Sequence, residues 1–170
     1  AFNQLVDLDI SLTIYGRASN PQTESYAKEL QASVRNPRIK FAGAFPPSEL
    51  GHVLGELDML ILPSTVYENN PMSILEAFAA GVPVIASNIG GMAELVEHDK
   101  TGLQFKVGNA NDLAAKVRFA VENPERIDMY RAAIMPPRTA EQVGGAMETL
   151  YLGLLNRGHQ RRQAGGPHHD

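Results

Sequence analysis

The chain has 170 residues, of which 44% are hydrophobic and 20% charged, an ordinary balance for a globular domain. Its net charge of −4, with no long run of one sign, argues against a nucleic-acid groove. The absence of cysteine excludes disulfides, thiolate catalysis and cysteine-ligated zinc. No apolar run reaches the roughly 18 residues of a membrane span, and no signal-peptide pattern opens the sequence. The first ten residues resemble the end of a helix, so we expect the chain to begin inside a larger protein.

Strand-like and helix-like patterns alternate along the chain. The predicted strands are Ser11–Tyr15, Arg38–Phe41, Asp58–Leu62, Pro83–Ala86 and Gly102–Phe105. We expect Asp58–Leu62 to be a buried strand, because its apolar run is continuous. The predicted helices are Pro21–Val34, Ser48–Leu57, Pro71–Ala80, a short helix that follows Gly90-Gly91 and ends at Glu97, Asn111–Val121, Pro124–Ile134 and Thr139–Leu155. Ser48 is the expected N-cap of the second helix, and Thr139 and Gln142 form a capping box that opens the last one.

This β-α alternation predicts an α/β fold, a doubly wound parallel sheet with helices on both faces. In such sheets ligands bind at the carboxyl ends of the strands. Four features fall there: Gly16, Gly43, the irregular segment 63–70, and the segment 87–91. We expect one domain over residues 1–156 and a disordered polar tail over residues 157–170.

The segment Pro63–Gly91 contains the residues that indicate chemistry. Glu68 and Glu76 are eight residues apart, one before the predicted helix and one inside it. Between them, Met72 and Ser73 lie in the first turn, where backbone N–H groups lack helical acceptors and the helix dipole favours an anion. Carboxylates that flank a phosphate accept hydrogen bonds from hydroxyl groups, and a nucleotide sugar has hydroxyls at both ends.

The same segment closely resembles the E-x7-E signature of the group 1 retaining glycosyltransferases, also called glycosyltransferase family 4. The surrounding strings match as well: LPS before Glu68, EAFAAGVPVIAS from Glu76, the Gly90-Gly91 pair, and DKTGLQF at Asp99–Phe105. The resemblance covers most of residues 10–125. It implies the C-terminal, Rossmann-like, donor-binding half of a two-domain GT-B enzyme, whose N-terminal domain would hold the acceptor.

The resemblance also implies roles for individual residues. Glu68, taken as the catalytic residue, would contact the transferred sugar near its 3-hydroxyl, and Glu76 would bind the ribose hydroxyls of the donor. Asn69, Asn70 and Pro71 would line the sugar pocket, the backbone N–H groups of Met72 and Ser73 would hold the diphosphate, Gly43, Ala44 and Phe45 would pack against the base, and Gly16 would form a turn beside the donor.

Two departures from the family pattern bear on function. The family usually has glycine at the positions of Asn69 and Pro71, so the identity of the transferred sugar is left open. Its phosphate-binding Arg and Lys follow a first strand that would precede Ala1, and Arg17, which follows the second strand, is not assigned that role.

The expected parent enzyme transfers a hexose from a nucleoside diphosphate with retention, without metal or cofactor, and we expect the fragment alone to be inactive. The resemblance implies a cytoplasmic location, with peripheral association of the parent with the inner face of the membrane left open.

Simpler interpretations stand beside these. Glu68 and Glu76 could be solvated carboxylates, and Met72 could pack into the core. Gly90-Gly91 could be either a plain strand-to-helix turn or a place of close backbone approach to the donor. The chain could be a non-catalytic nucleotide-sugar-binding module of the same fold. A signalling receiver domain would need an acidic cluster at the end of its first strand, and the sequence has none there.

Overall fold

The computed structural model describes residues 1–164, apart from the side chains of residue 156 and residues 158–164. Within this range the chain forms five strands and seven α-helices. The strands are β1 Leu12–Tyr15, β2 Ile39–Gly43, β3 Leu60–Leu62, β4 Val84–Ser87 and β5 Gly102–Phe105; the helices are α1 Pro21–Ala32, α2 Leu50–Gly55, α3 Met72–Ala79, α4 Gly90–Leu95, α5 Ala110–Glu122, α6 Pro124–Ala133 and α7 Ala140–Ala164.

Every strand pairing is parallel, as the β-α alternation predicted. The hydrogen bonds divide the described strands into two sheets, β1-β2 and β3-β4-β5. Alternate residues of β4 contact different apolar clusters: Ile85 packs with α5, whereas Val84 and Ala86 pack with α3. Helices therefore cover both faces of this sheet, which confirms the doubly wound α/β fold.

Strand β3 is less buried than its apolar sequence predicted. All of its residues, Leu60–Leu62, are half-buried, whereas all four residues of β4 are fully buried. The edge position of β3 does not by itself account for this, because β5 also pairs only with β4 within the described sheets and three of its four residues are buried. The expectation that this segment forms a buried strand is wrong.

Three boundary details also differ from the predictions. Ser48 is not an N-cap: it lies inside a short 3-10 helix, Pro47–Glu49, and α2 begins only at Leu50 without a side-chain cap. The first residues form a 3-10 helix, Phe2–Gln4, rather than the end of an α-helix. The backbone of residues 157–164 continues α7, where we expected a disordered tail, and the remainder of that tail lies outside the described residues.

Glycine ends α3 as the sequence indicated. Gly81 has a φ of +71°, and its N–H donates to Phe78 O at 3.0 Å, while the N–H of Val82 donates to Ala77 O at 2.8 Å. These two bonds satisfy carbonyls that the helix end would otherwise leave free, the pattern of a Schellman motif. The capping box before α7 is also present, because Thr139 and Gln142 exchange side-chain to backbone hydrogen bonds of 3.2 and 3.0 Å.

The chain divides into two compact units, residues 1–136 and the segment from Pro137 onward. In the second unit, α7 carries an apolar row spaced three and four residues apart, as predicted from the sequence. Its members are all at least two-fifths exposed: Val143, Met147, Leu150 and Leu154.

A polar cluster connects α6 with the turn before β5. The buried Tyr130 donates its hydroxyl proton to Asp99 Oδ1 at 2.6 Å, and Arg126 forms an ion pair with the same carboxylate. The Arg126 guanidinium, followed by the Tyr130 hydroxyl, lowers the pKa of Asp99 below its ordinary value of 3.8. The charged carboxylate is therefore the form that stabilises the folded state.

We expect this cluster to contribute to acid sensitivity. A lowered pKa in the folded state stabilises the protein above pH 3.8, and that contribution is lost as the pH falls through the folded-state value. Asp99→Asn should therefore destabilise the protein at pH 7 and reduce its loss of stability between pH 7 and pH 3. Urea unfolding at both pH values measures this, with the exposed Asp128→Asn as the control. An unchanged pH dependence in Asp99→Asn would contradict the assignment.

Candidate donor-binding site

The beginning of α3 presents free backbone donors to solvent. The buried face of the helix, Ile74, Ala77 and Phe78, follows helical spacing and packs against Val84 and Ala86 of β4. Pro71 is the N-cap, with extended dihedrals and no side-chain cap. Met72 and Ser73 are exposed, and their N–H groups belong to the first turn, where helical acceptors are absent. The Met72 side chain is 60% exposed, so the alternative that it packs into the core is wrong.

The two predicted carboxylates precede and follow this helix start in the chain. Glu68 is in the loop after β3 and Glu76 is in the second turn of α3, and both are half-buried. Neither carboxylate forms a hydrogen bond or an ion pair with another side chain or backbone group of the described residues. Asn69 and Asn70 are exposed beside Glu68, whereas Pro71 is buried. The carboxylates are thus available to accept hydrogen bonds from hydroxyl groups.

A second group of predicted residues lies at the ends of β1 and β2. The N–H of Gly16 donates to Gly43 O at 2.9 Å, which brings the two glycines together. Both have positive φ, +151° and +74°, and neither has another atom within 4 Å of the position that a Cβ would occupy. This edge of the sheet therefore leaves open space above its backbone, as a close-packed planar ligand would require.

Sequence reasoning missed one residue of this second group. The Tyr15 ring packs edge-to-face on the Phe45 ring, with centroids 5.2 Å apart and an interplanar angle of 90°. Tyr15 is the last residue of β1 and precedes Gly16, so its position at the carboxyl edge could have been read from the strand pattern. Ala44 lies exposed between Gly43 and the half-buried Phe45.

The Gly90-Gly91 pair contacts the loop that carries Glu68. The N–H of Gly91 donates to Glu68 O at 2.7 Å, and the Tyr67 ring lies beside Gly90. The structure therefore shows a close backbone approach of this turn to the protein's own loop, while the approach to the donor that the sequence left open stays a prediction.

Two cavities of the structure lie away from the predicted site residues. Two shallow cavities, with volumes of about 260 and 300 Å³, flank β5 and α5 and share His98 and Lys116 in their linings. None of the predicted site residues lines either cavity.

Among the side chains that the structure describes, no group of three or more His, Cys, Asp or Glu residues is arranged to hold a metal ion. No described helix is long and apolar enough to cross a membrane.

The start of α3 and the carboxylates of Glu68 and Glu76 follow the carboxyl end of β3, the edge of a parallel α/β sheet at which ligands of such folds bind. The family model for glycosyl transferases, group 1, matches residues 1–134. The chain belongs to this glycosyltransferase family and corresponds to the Rossmann-like C-terminal half of its GT-B fold.

Curated relatives and a solved structure agree with this assignment. The chain is 39% identical over 128 residues to a glycogen synthase of Mycobacterium tuberculosis (strain ATCC 25618 / H37Rv), covering 73% of this chain and 30% of the relative. It is 30% identical over 141 residues to a D-inositol 3-phosphate glycosyltransferase of Corynebacterium glutamicum (strain R), covering 81% and 34%. The complex of Anabaena Alr3699/HepE with UDP-glucose superposes with a TM-score of 0.69 at 26% identity, covering 76% of this chain and 36% of that one. The chain therefore spans about a third of the length of these proteins.

Proposed function

We propose that this chain is the donor-binding domain of a retaining glycosyltransferase that transfers a hexose from a nucleoside diphosphate sugar. The observation that carries the proposal is the exposed start of α3, with the N–H groups of Met72 and Ser73 in its first turn. The carboxylates of Glu68 and Glu76, unpaired within the described residues, precede and follow this turn in the chain. The similarity to a structure crystallised with UDP-glucose supports a uridine nucleotide as the probe.

The diphosphate of the donor would bind at the first turn of α3. Free N–H groups and the positive end of the helix dipole both attract an anion there. The exposure of Met72 and Ser73 leaves room for the phosphate oxygens to approach the backbone. Glu76 would accept hydrogen bonds from the ribose hydroxyls and Glu68 from the transferred sugar, since an ionised carboxylate is a strong acceptor for O–H donors. Asn69, Asn70 and Pro71 follow Glu68 and would line the sugar pocket.

The base would lie at the ends of β1 and β2. Gly16 and Gly43 leave open space there, and Phe45 with its neighbour Tyr15 provides an apolar surface beside it. Backbone contacts from Gly43 and Ala44 would complete the contacts to the base.

The chemistry would consist of bond loosening assisted by fixed dipoles. As the bond between the anomeric carbon and the diphosphate oxygen breaks, positive charge develops on the sugar and negative charge on the departing phosphate. The N–H groups at Met72 and Ser73 would stabilise that negative charge without reorganising, which is electrostatic preorganisation. The leaving phosphate would take the proton of the acceptor hydroxyl as the new glycosidic bond forms on the same face. No metal and no cofactor is needed in this scheme.

The separation of the described strands into two sheets supports a further strand between them in the parent protein. In the doubly wound order 3-2-1-4-5-6, the first strand lies between the second and the fourth. Here β1 pairs only with β2, and β3 pairs only with β4, within the described sheets. A strand between β1 and β3 would pair both edges, and its following loop would supply the basic phosphate ligands that the family resemblance implies. The acceptor-binding domain would be a separate part of the parent, so the fragment alone would bind donor without transferring sugar.

Met72→Pro tests the diphosphate site by removing a single N–H group. Proline is well tolerated at the first position of a helix, and the extended dihedrals of Pro71 suit a residue before proline. Loss of a hydrogen bond to a charged group costs about 1.5–3 kcal/mol, so UDP affinity should fall about 10- to 100-fold. Calorimetric titration with UDP measures the effect.

Met72→Ala is the matched control, because it shortens the same side chain and keeps the N–H group. It should bind UDP like the wild type. Equal affinities in Met72→Pro and Met72→Ala would contradict a diphosphate site at this turn. A non-catalytic nucleotide-sugar-binding module would show the same UDP binding. The two functions are distinguished by joining the chain to an acceptor-binding domain and measuring sugar transfer.

A further inference from the structure

The β4–α4 turn and the Glu68 loop are in direct backbone contact. Besides the 2.7 Å hydrogen bond from the Gly91 N–H to Glu68 O, the two glycines pack closely on the loop. A Cβ added at Gly91 would lie 2.1 Å from Asn69 O, and one added at Gly90 would lie 3.0 Å from Glu68 O. No side chain larger than hydrogen fits at Gly91 unless the loop moves.

Little else holds this loop. Within the described residues, the bond from Gly91 is the one backbone hydrogen bond that connects residues 64–70 to another element. The described side-chain bonds of the segment stay inside it, between Ser64 and Val66. Burial contributes little, because Val66 is 63% exposed and Tyr67 is 82% exposed. The position of the Glu68 backbone therefore depends on the glycine turn.

We propose that Gly90 and Gly91 are positioning residues for Glu68 and thereby set how the transferred sugar is held. The inference rests on the proposed function, since it takes Glu68 as the contact to the sugar. It adds that the two ends of the donor are held by different elements. Glu76 is fixed by α3, whereas Glu68 is fixed by the β4–α4 turn, so a change at that turn should affect the sugar and spare the nucleotide.

The test compares UDP with UDP-glucose on the full chain. In Gly91→Ala, the loop must move away from the added Cβ and the Gly91–Glu68 bond is broken or lengthened. We expect the affinity for UDP-glucose to fall about tenfold more than the affinity for UDP, the size of one lost hydrogen bond to a carboxylate. The NMR amide signals of Glu68, Asn69 and Asn70 should shift or broaden without ligand, while those of Gly43 stay in place.

Two further variants keep the test decisive. In Gly90→Ala the added Cβ lies farther from the loop than in Gly91→Ala, so this variant replaces Gly91→Ala in the test if the latter does not fold. Gly108→Ala is its matched control, because Gly108 also has a positive φ, +71°, but has no atom within 4 Å of an added Cβ. Gly108→Ala should leave the ratio of the two affinities and the loop signals unchanged.

The outcomes separate the inference from the proposed function. If the wild type binds UDP but Gly90→Ala and Gly91→Ala keep the wild-type ratio and loop signals, the glycine turn does not position Glu68 and the inference is wrong. If the wild type binds neither UDP nor UDP-glucose, the proposed function fails for this donor class. In that case the NMR signals of Glu68, Asn69 and Asn70 still test the positioning role, which is wrong if they are unchanged in Gly90→Ala and Gly91→Ala.

Discussion

Glu76→Ala should weaken UDP binding by about 10- to 100-fold, because the ribose hydroxyls lose a charged acceptor worth about 1.5–3 kcal/mol. The fold should survive, since the Glu76 side chain makes no described hydrogen bond or ion pair and alanine is the best helix former. Binding is measured by calorimetry, and unchanged unfolding by urea confirms that the variant is intact.

The matched control for Glu76→Ala is Glu94→Ala. Glu94 is an exposed carboxylate on the neighbouring helix α4, so the substitution removes the same charge from the same unit. UDP affinity should be that of the wild type. If Glu76→Ala and Glu94→Ala bind UDP equally well, Glu76 is a solvated helix carboxylate and has no role in donor binding.

Leu103→Ala should be the most destabilising of the changes considered. Leu103 of β5 is 2% exposed and packs with Ile85 and Phe105 in the cluster under α5. Truncation of a buried leucine to alanine costs about 2–5 kcal/mol through lost transfer energy and the cavity left behind. That is a large share of the roughly 5–15 kcal/mol that stabilises a folded domain.

Urea unfolding of Leu103→Ala should show a lower midpoint with an unchanged slope. Leu154→Ala on α7 is the matched control, because the same atoms are removed from a side chain that is 52% exposed. Its midpoint should stay near that of the wild type. Similar shifts in both variants would contradict the assignment of the core to the face of β5 that carries Leu103.

Most of the fold could be predicted from local signals in the sequence. The strand Gly102–Phe105 was predicted at its observed bounds, because glycine and an apolar run mark it clearly. The end of α3 at Gly81 and the capping box at Thr139 follow from chemistry within a few residues of each helix end. Ser48 shows the limit of such signals, since a serine before an apolar run also suits a 3-10 turn, and Pro46 and Pro47 favour that turn here.

Features that depend on distant neighbours could not be predicted. The half-buried state of β3 depends on which elements pack around it, and its own apolar sequence does not indicate them. The sequence likewise left the role of Gly90-Gly91 open, because their requirement for glycine comes from Glu68 and Asn69, more than 20 residues earlier in the chain. The candidate site itself was predicted as a set of residues from the family resemblance, and their roles remain proposals.

The most direct test of the central claim is a two-dimensional NMR titration of the wild-type chain with UDP, with GDP and ADP in parallel. NMR detects weak as well as tight binding and reports which residues respond. We predict that one nucleotide shifts a localised set of amides that includes Gly43, Met72 and Ser73, and that this nucleotide identifies the base. If none of the three shifts these amides, or if the shifts centre on the cavities beside His98 and Lys116, the start of α3 is not the donor site.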